Sequence, residues 1–205
     1  MSWGIALEFH KKSIAKKCKR FILCVYIMGE ILYLKDKKLN KYLPWQYYDL
    51  FNFISIPMLK KRPYIKKWQL FTKTVHARNV NENIGILTGK VSGITVVDID
   101  IKDNGLLFWK NIAQPEIITP TVVTSTGGLH LYFKYEPTLD NTIKLVINGT
   151  KIGIDIRNDH GLVLAPPSKI SNKKYKWIKG LSLEDTSIKK MPVWLYNLIK
   201  ETQKK

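Results

Sequence analysis

Three short segments of this chain share one design, and that design restricts the folds open to it. Side chains alternate across a β-strand, so residues i and i+2 lie on the same face. In "TVVDIDI", Thr95, Val97, Ile99 and Ile101 fall on one face, with Val96, Asp98 and Asp100 on the other. In "LHLYFKY", Leu129, Leu131, Phe133 and Tyr135 oppose His130, Tyr132 and Lys134. In "IGIDIR", Ile152, Ile154 and Ile156 oppose Gly153, Asp155 and Arg157. Each segment thus turns an apolar face to a core and a second, chemically loaded face elsewhere. A half-solvated sheet also alternates, but here nearly every outward residue is ionisable or ring-bearing. If the three strands join one sheet, Asp98, Asp100, His130, Asp155 and Arg157 face a single cleft, with Gly153 leaving room beside it.

Other segments fit around this nucleus. "NIGILTG", "TVVTST", "IKLVI", "LVLA" and "YKWI" read as further strands, rich in β-branched and aromatic residues. "NGLLFWKNIA" reads as a short helix with Asn104 at its N-cap, and "PVWLYNLIKETQKK" as an amphipathic C-terminal helix. Residues 1–60 are rich in Lys and aromatics and read as mainly helical. Pro44 opens a helix through "PWQYYDLFNFIS" and Pro57 ends it. "KKRPYIKKWQLF" is a basic, exposed connection with an aromatic anchor. Strands with helices before, between and after them predict a mixed α/β, or α+β, fold. The expected organisation is a helical, basic portion over residues 1–60 and one catalytic domain over residues 61–205.

Charge narrows the partners. Thirty-four Lys and Arg against sixteen Asp and Glu leave a net charge of +18. Such a balance points to a polyanion, nucleic acid ahead of an anionic membrane surface. Residues 11–34 are basic and then apolar, like the start of a signal peptide, but Glu30 interrupts the run and no small-residue cleavage site follows. The run is also too short to span a bilayer, so no membrane role is expected. Cys18 and Cys24, the only cysteines, make neither a four-ligand zinc site nor a disulfide framework. An intracellular, reducing setting is expected.

In so basic a chain, Asp98, Asp100 and Asp103 lie within one apolar run, and buried carboxylates need compensation. Asp98 and Asp100 stand about 6–7 Å apart along the strand and suit a hard divalent cation. Mg²⁺ takes one or two carboxylates, keeps waters and accepts substrate phosphates. Asp155 from a neighbouring strand permits two ions about 3.5–4 Å apart. Asp103 is out of phase and reads as a turn residue. "TSTGGLH" sets Ser125, Thr126, Gly127 and Gly128 in a turn that either presents N–H groups to a phosphate or closes a hairpin. "APPSK" sets Ser168 and Lys169 on a rigid loop with the same two readings, phosphate contact or turn.

Taken in order, these motifs resemble the primase–polymerase (prim-pol) domain of the archaeo-eukaryotic primase superfamily, of the bifunctional type found in plasmids, viruses and mobile elements. The resemblance is carried by "KRPYIKKWQ", "NIGILTGKVSGITVVDIDIKDNG", "TSTGGLHLYF" and "GIDIRNDHGLVLAPPSKI", over roughly residues 61–178. It implies an RRM-like catalytic sheet beside a second small α/β unit. It implies template-dependent nucleotidyl transfer from nucleoside triphosphates on single-stranded DNA, as DNA primase, DNA polymerase or both. On that resemblance Asp98, Asp100 and Asp155 bind the catalytic ions, Mg²⁺ or Mn²⁺. His130, with the turn Ser125 to Gly128, holds the incoming triphosphate, and Arg157, Ser168 and Lys169 supply phosphate contacts. The family's serine two residues before this histidine is Gly128 here, which leaves Ser125 or Thr126 to supply a hydroxyl. Lys61, Arg62, Tyr64, Lys66 and Lys67 are expected to hold the template by phosphate contact and stacking, together with Trp68 unless that ring packs in the core. A separate helicase is the expected protein partner, in the replication complex of a plasmid, virus or other mobile element.

Two other readings stay open. "DIDIK" also matches the carboxylate–x–carboxylate–x–Lys arrangement of metal-dependent nucleases, with Lys102 as the activating base. A non-catalytic, single-stranded nucleic-acid-binding adaptor would share the basic charge but show no metal-dependent turnover.

Overall fold

A computed structural model of the chain describes residues 42–77, 82–112 and 117–204. The expectations for residues 1–41, including Cys18, Cys24 and the basic-then-apolar run, lie outside the described residues. In chain order the first elements are helix α1 (Pro44–Asp49) and strands β1 (Ser55–Leu59), β2 (Arg62–Pro63), β3 (Asn83–Leu87) and β4 (Ile94–Ile99). Helix α2 (Gly105–Ile112) precedes β5 (Thr121–Val123), β6 (Leu129–Lys134), β7 (Leu145–Ile147) and β8 (Thr150–Ile152). There follow β9 (Ile154–Arg157), β10 (Leu162–Ala165), β11 (Lys169–Ile170), β12 (Lys173–Lys174), β13 (Lys176–Trp177) and helix α3 (Val193–Gln203). The fold is α+β.

Two sheets organise it. One has the order β13-β5-β6-β4-β9, the other β10-β3-β1-β2, and every pairing in both is antiparallel. Alternation then sorts the first sheet's side chains. Val97, Ile99, Leu131, Phe133, Ile154 and Ile156 bury one face against Leu106 and Trp109 of α2 and Leu195 and Ile199 of α3. Fully burying such a side chain is worth about 1.5–3 kcal/mol, so this face holds its helices firmly. On the opposite face, Val96, Val122, Tyr132 and Trp177 pack against Tyr47 and Tyr48 of α1, Phe53 of the connection to β1, and Ile56 and Ile86 of the second sheet. Phe53 stacks on Tyr132 with ring centroids 6.3 Å apart, which ties the two sheets together. That face is therefore core at one end, and its ionisable residues lie at the other.

Several local expectations change. Pro57 does not end a helix; it lies inside β1, opposite Ile84. A proline there loses no ladder bond: β2 pairs only with Met58 and Leu59, and the Ile84 N–H goes to Ser168 Oγ. β1 pairs with β2 and β3, so this sheet draws strands from both sides of residue 60. Asn104 is not an extended N-cap. It sits at φ 56°, at the end of a 3₁₀ turn, Lys102–Asn104, that runs into α2. β4 stops at Ile99, which leaves Ile101 49% exposed rather than in the core. Tyr135 lies beyond β6, and its hydroxyl donates to Asp159 Oδ2 at 2.6 Å.

Candidate active site

Antiparallel partners directly opposite one another point to the same side of the sheet. The register therefore draws one row across all five strands: Trp177, Val122, His130, Asp98 and Asp155. The neighbouring row on that face holds Tyr132, Val96 and Arg157. Asp98 thus stands between His130 and Asp155, on the face that the three alternating segments assign to all of them.

Charge compensation within the row is only partial. His130 Nε2 lies 3.3 Å from Asp98 Oδ1, and Arg157 Nε 4.0 Å from Asp98 Oδ2. Arg157 Nη2 donates to Asp155 Oδ2 at 2.5 Å, and the Lys144 backbone N–H donates to Asp155 Oδ1 at 2.8 Å. Burial pushes the Asp98 carboxyl up, but His130, Arg157 and Lys61 outweigh it and hold the group below its ordinary value. Asp100 goes the other way. Burial, then the charges of Asp98 and Asp155, raise its pKa, and Lys61 and His130 offset this only in part. Asp155 is also raised, first by burial and further by Asp98, in spite of the Lys144 N–H and Arg157. Uncompensated negative charge therefore remains on hard oxygen donors, which is the chemistry a divalent cation relieves. Among the described residues no three His, Cys, Asp or Glu side chains form a ready metal cluster. Each Asp155 oxygen already accepts one hydrogen bond, from Arg157 or the Lys144 N–H, and keeps a lone pair free, so Asp155 can join Asp98 and Asp100 in taking an ion.

Asp100 follows the last residue of β4, and backbone packing fixes it. Its N–H donates to the Gly153 carbonyl at 2.7 Å, and its own carbonyl accepts from the Leu106 N–H at 2.9 Å. A Cβ on Gly153 would lie 2.1 Å from the Lys102 carbonyl oxygen, and one on Gly128 would lie 2.3 Å from that of Ile99. Gly153 therefore leaves no room in the cleft; the 100–103 backbone fills its space. Lys102 lies in the 3₁₀ turn beyond the strand, so strand alternation does not carry it to the Asp side. Asp103 is the turn residue expected: its Oδ2 takes Lys144 Nζ at 2.9 Å, and its carbonyl takes the Gly153 N–H at 2.9 Å.

The glycine turn makes the hairpin that is one of its two readings. It closes the β5–β6 hairpin, with Thr124 N–H donating to the Gly128 carbonyl at 2.9 Å. Gly127, at φ 92°, occupies backbone space that other residues rarely adopt. Thr124, Ser125, Thr126 and Gly127 also form one wall of a groove of about 660 Å³, faced by Lys173, Lys174 and Lys176. Those three lysines escaped sequence reasoning because a Lys-rich stretch of two short strands, β12 and β13, reads as ordinary solvated surface. Tyr175 escaped it too. It is buried, its ring centroid lies 5.8 Å from that of His130, and burial raises its phenol pKa while Ser125 partly offsets this.

The remaining expected residues scatter. Ser168 is 2% exposed. Its Oγ accepts the Ile84 N–H at 2.9 Å and donates to the Ile84 carbonyl at 3.1 Å, so it pins a loop to β3 and has no hydroxyl left for a phosphate. Lys169 is exposed on β11, its backbone N–H and carbonyl both held by the Asn83 side chain. Lys61 and Arg62 are exposed on the β1–β2 hairpin, and the Lys61 charge reaches Asp98 and Asp100. Tyr64 is exposed and donates to Glu82 Oε2 at 3.1 Å. Lys66 and Lys67 are exposed one turn further on. Trp68 packs against the core between the sheets.

The raised Asp100 has a testable consequence. A carboxyl that titrates higher when folded than when unfolded costs stability once charged, and the cost fades as pH falls through the folded pKa. In metal-free protein at neutral pH, Asp100→Asn melts above the parent, and the gap narrows as pH falls through the raised folded value toward the ordinary carboxylate value. Thermal melts in chelator at two pH values check this; a variant that melts below the parent at neutral pH contradicts it.

Hard carboxylates on an antiparallel sheet, beside a cationic groove, define an α+β protein equipped to handle phosphates. The Prim-Pol family, described as "Bifunctional DNA primase/polymerase, N-terminal", matches residues 46–194, and the chain belongs to that family. The family's description is that of enzymes of primase/polymerase nucleotidyl transfer, which generally depend on metal ions. The match takes in most of α1 and all of β1, ahead of the segments that carry the resemblance in sequence. The chain is also similar to a tyrosine–tRNA ligase of Wigglesworthia glossinidia brevipalpis, 26% identical over 170 residues that make up 82% of this chain and 36% of that protein. It thus spans about a third of that relative's length. No described helix is long and apolar enough to cross a membrane.

Proposed function

We propose that the chain performs template-dependent nucleotidyl transfer, as DNA primase and/or DNA polymerase, using nucleoside triphosphates on single-stranded DNA. The observation that carries this reading is the row Asp155, Asp98, His130, with Asp100 just past the end of β4 and the cationic groove beside it. Divalent ions, Mg²⁺ or Mn²⁺, held by Asp98, Asp100 and Asp155, would lower the pKa of an attacking 3′-hydroxyl and neutralise the pyrophosphate. The chain's own groups position the reactants, so the rate comes mainly from orientation and electrostatics. Arg157 orients Asp155 and counters the charge of Asp98. His130 Nδ1 is buried with no hydrogen-bond partner, which suits it to a phosphate oxygen. The groove from Ser125 to Gly128, with Lys173, Lys174 and Lys176, takes the rest of the triphosphate. The strand order β9-β4-β6-β5, with α2 crossing from β4 to β5, supports reading this sheet as RRM-like and the β10-β3-β1-β2 sheet as the second unit. We place the start of the catalytic unit near residue 46, since β1 belongs to that second sheet. Lys61, Arg62, Tyr64, Lys66 and Lys67 then hold the template. A separate helicase and a plasmid, viral or mobile-element replication complex complete the proposal.

A primer-free reaction with labelled nucleotide, single-stranded template and Mg²⁺ or Mn²⁺ tests it. Extended, template-dependent product is expected. No incorporation with either ion, or DNA cleavage that needs no triphosphate, overturns the proposal. His130 separates the two chemistries further, because a nuclease has no triphosphate to hold. His130→Ala weakens nucleotide binding by about 1.5–3 kcal/mol, the scale of a hydrogen bond to a charged group, and leaves template affinity unchanged. Nucleotide titration at fixed metal and template measures this; an unaltered nucleotide affinity removes the role given to His130.

A further inference from the structure

A second groove, of about 490 Å³, lies beside the β1–β2 hairpin. Its apolar walls are Leu59, Pro63, Tyr64 and Ile170, and Lys60, Lys61 and Arg62 stand at its rim. Leu59 is 67% exposed and Tyr64 40% exposed, which is expensive for a surface that covers nothing. The Tyr64 hydroxyl is tied to Glu82, so the ring is held in place. β2 is the last strand of its sheet, and the groove is open on that side. The rim charge also reaches the acidic row, since Lys61 acts on both Asp98 and Asp100.

The β11–β12 hairpin stands between this groove and the cationic one. Ile170 lines the apolar groove, while Asn172, Lys173 and Lys174 line the other. A strand with apolar base faces and a charged backbone matches an apolar trough with a cationic rim. A triphosphate tail matches the lysine-lined groove. We propose that the Leu59–Tyr64–Ile170 groove seats an unpaired base of the template strand, with the β11–β12 hairpin separating that base from the incoming nucleotide's phosphates. The inference rests on the reading of the chain as a template-directed enzyme, and it adds a base-recognising surface to the basic residues already named.

Two polymers separate the base from the backbone. Fluorescence anisotropy of the full chain, with neither nucleotide nor divalent metal, compares labelled oligothymidylate with an abasic deoxyribose-phosphate strand of the same length. Leu59→Ser and Tyr64→Ser each lower oligothymidylate affinity about tenfold, within the range for loss of one stacked base, and leave abasic affinity unchanged. Tyr64→Phe keeps the ring but loses its tie to Glu82, so it binds oligothymidylate more tightly than Tyr64→Ser and binds the abasic strand as the parent does. Leu59 is so exposed that its replacement leaves the fold intact, which a melting temperature verifies. An equal fall on both polymers, or no fall on either, overturns the inference. Incorporation plays no part in this measurement. A chain that senses bases here but fails to polymerise loses the proposed reaction alone, and one that polymerises with unaltered oligothymidylate affinity in both Ser variants loses the groove alone.

Discussion

Asp98→Asn leaves a folded chain that still binds single-stranded DNA but incorporates nucleotide at least about a thousandfold more slowly, a loss of several kcal/mol of transition-state stabilisation. The substitution keeps size and shape, so the row across β6, β4 and β9 survives. What disappears is the charge at its centre. Asp98 is the carboxylate that stays ionised most readily, because His130, Arg157 and Lys61 outweigh the effect of burial. A group whose folded pKa is depressed stabilises the protein above its unfolded pKa, and that contribution vanishes as pH falls through the folded value. The Asn variant therefore melts below the parent at neutral pH, the opposite of Asp100→Asn. Incorporation assays and thermal melts on the same samples check both halves. Activity near the parent's would remove Asp98 from the mechanism. Asp103→Asn is the control: its pair with Lys144 joins two side chains that are each 42% exposed, and solvent screens such a pair so that its loss changes little.

Gly153→Ala loses about a hundredfold in activity without touching an ionisable group. Its new Cβ would stand 2.1 Å from the Lys102 carbonyl oxygen, 3.2 Å from the Lys102 carbonyl carbon and 3.3 Å from the Gly105 nitrogen. All three are backbone atoms, so no flexible side chain can swing aside. The turn over residues 100–105 must move, and it carries Asp100, whose N–H is bonded to the Gly153 carbonyl. A displacement near 1 Å at a reacting group costs about 10²-fold, and overpacking costs a further 1–3 kcal/mol or so in stability. Gly149→Ala is the matched comparison. Unlike Gly153, Gly149 has a positive φ, 75°, but nothing lies within 4 Å of its Cβ position, so only backbone strain of about 1–2 kcal/mol follows and activity holds. Rates and melting temperatures for the pair decide the matter; parent-like activity in Gly153→Ala would show that the turn does not position Asp100.

Alternation in "VVDI", "LHLYFK" and "IDIR" is a local property, because side-chain direction in a strand has a period of two. It places Asp98, His130, Asp155 and Arg157 on one face and the aliphatic residues on the other before any tertiary contact is known. The α+β character and the terminal helix follow from comparable local signals. Pairing is not local. Nothing near Asp98 says that His130 and Asp155 will be its direct neighbours, since antiparallel register depends on residues far along the chain. The same limit hides Lys173, Lys174 and Lys176, which become one wall of a groove only when β12 and β13 come to lie opposite the glycine turn. It explains the errors as well. Pro57 looks like a helix terminator until β3 supplies a partner on one flank while the other stays open. Ser168 looks like a phosphate ligand until Ile84 takes its hydroxyl. Gly153 looks like space for a substrate until the backbone of residue 102 fills it. Residue chemistry and face are written in the local sequence; which faces meet is decided by long-range packing, whose free energy no short window of sequence contains.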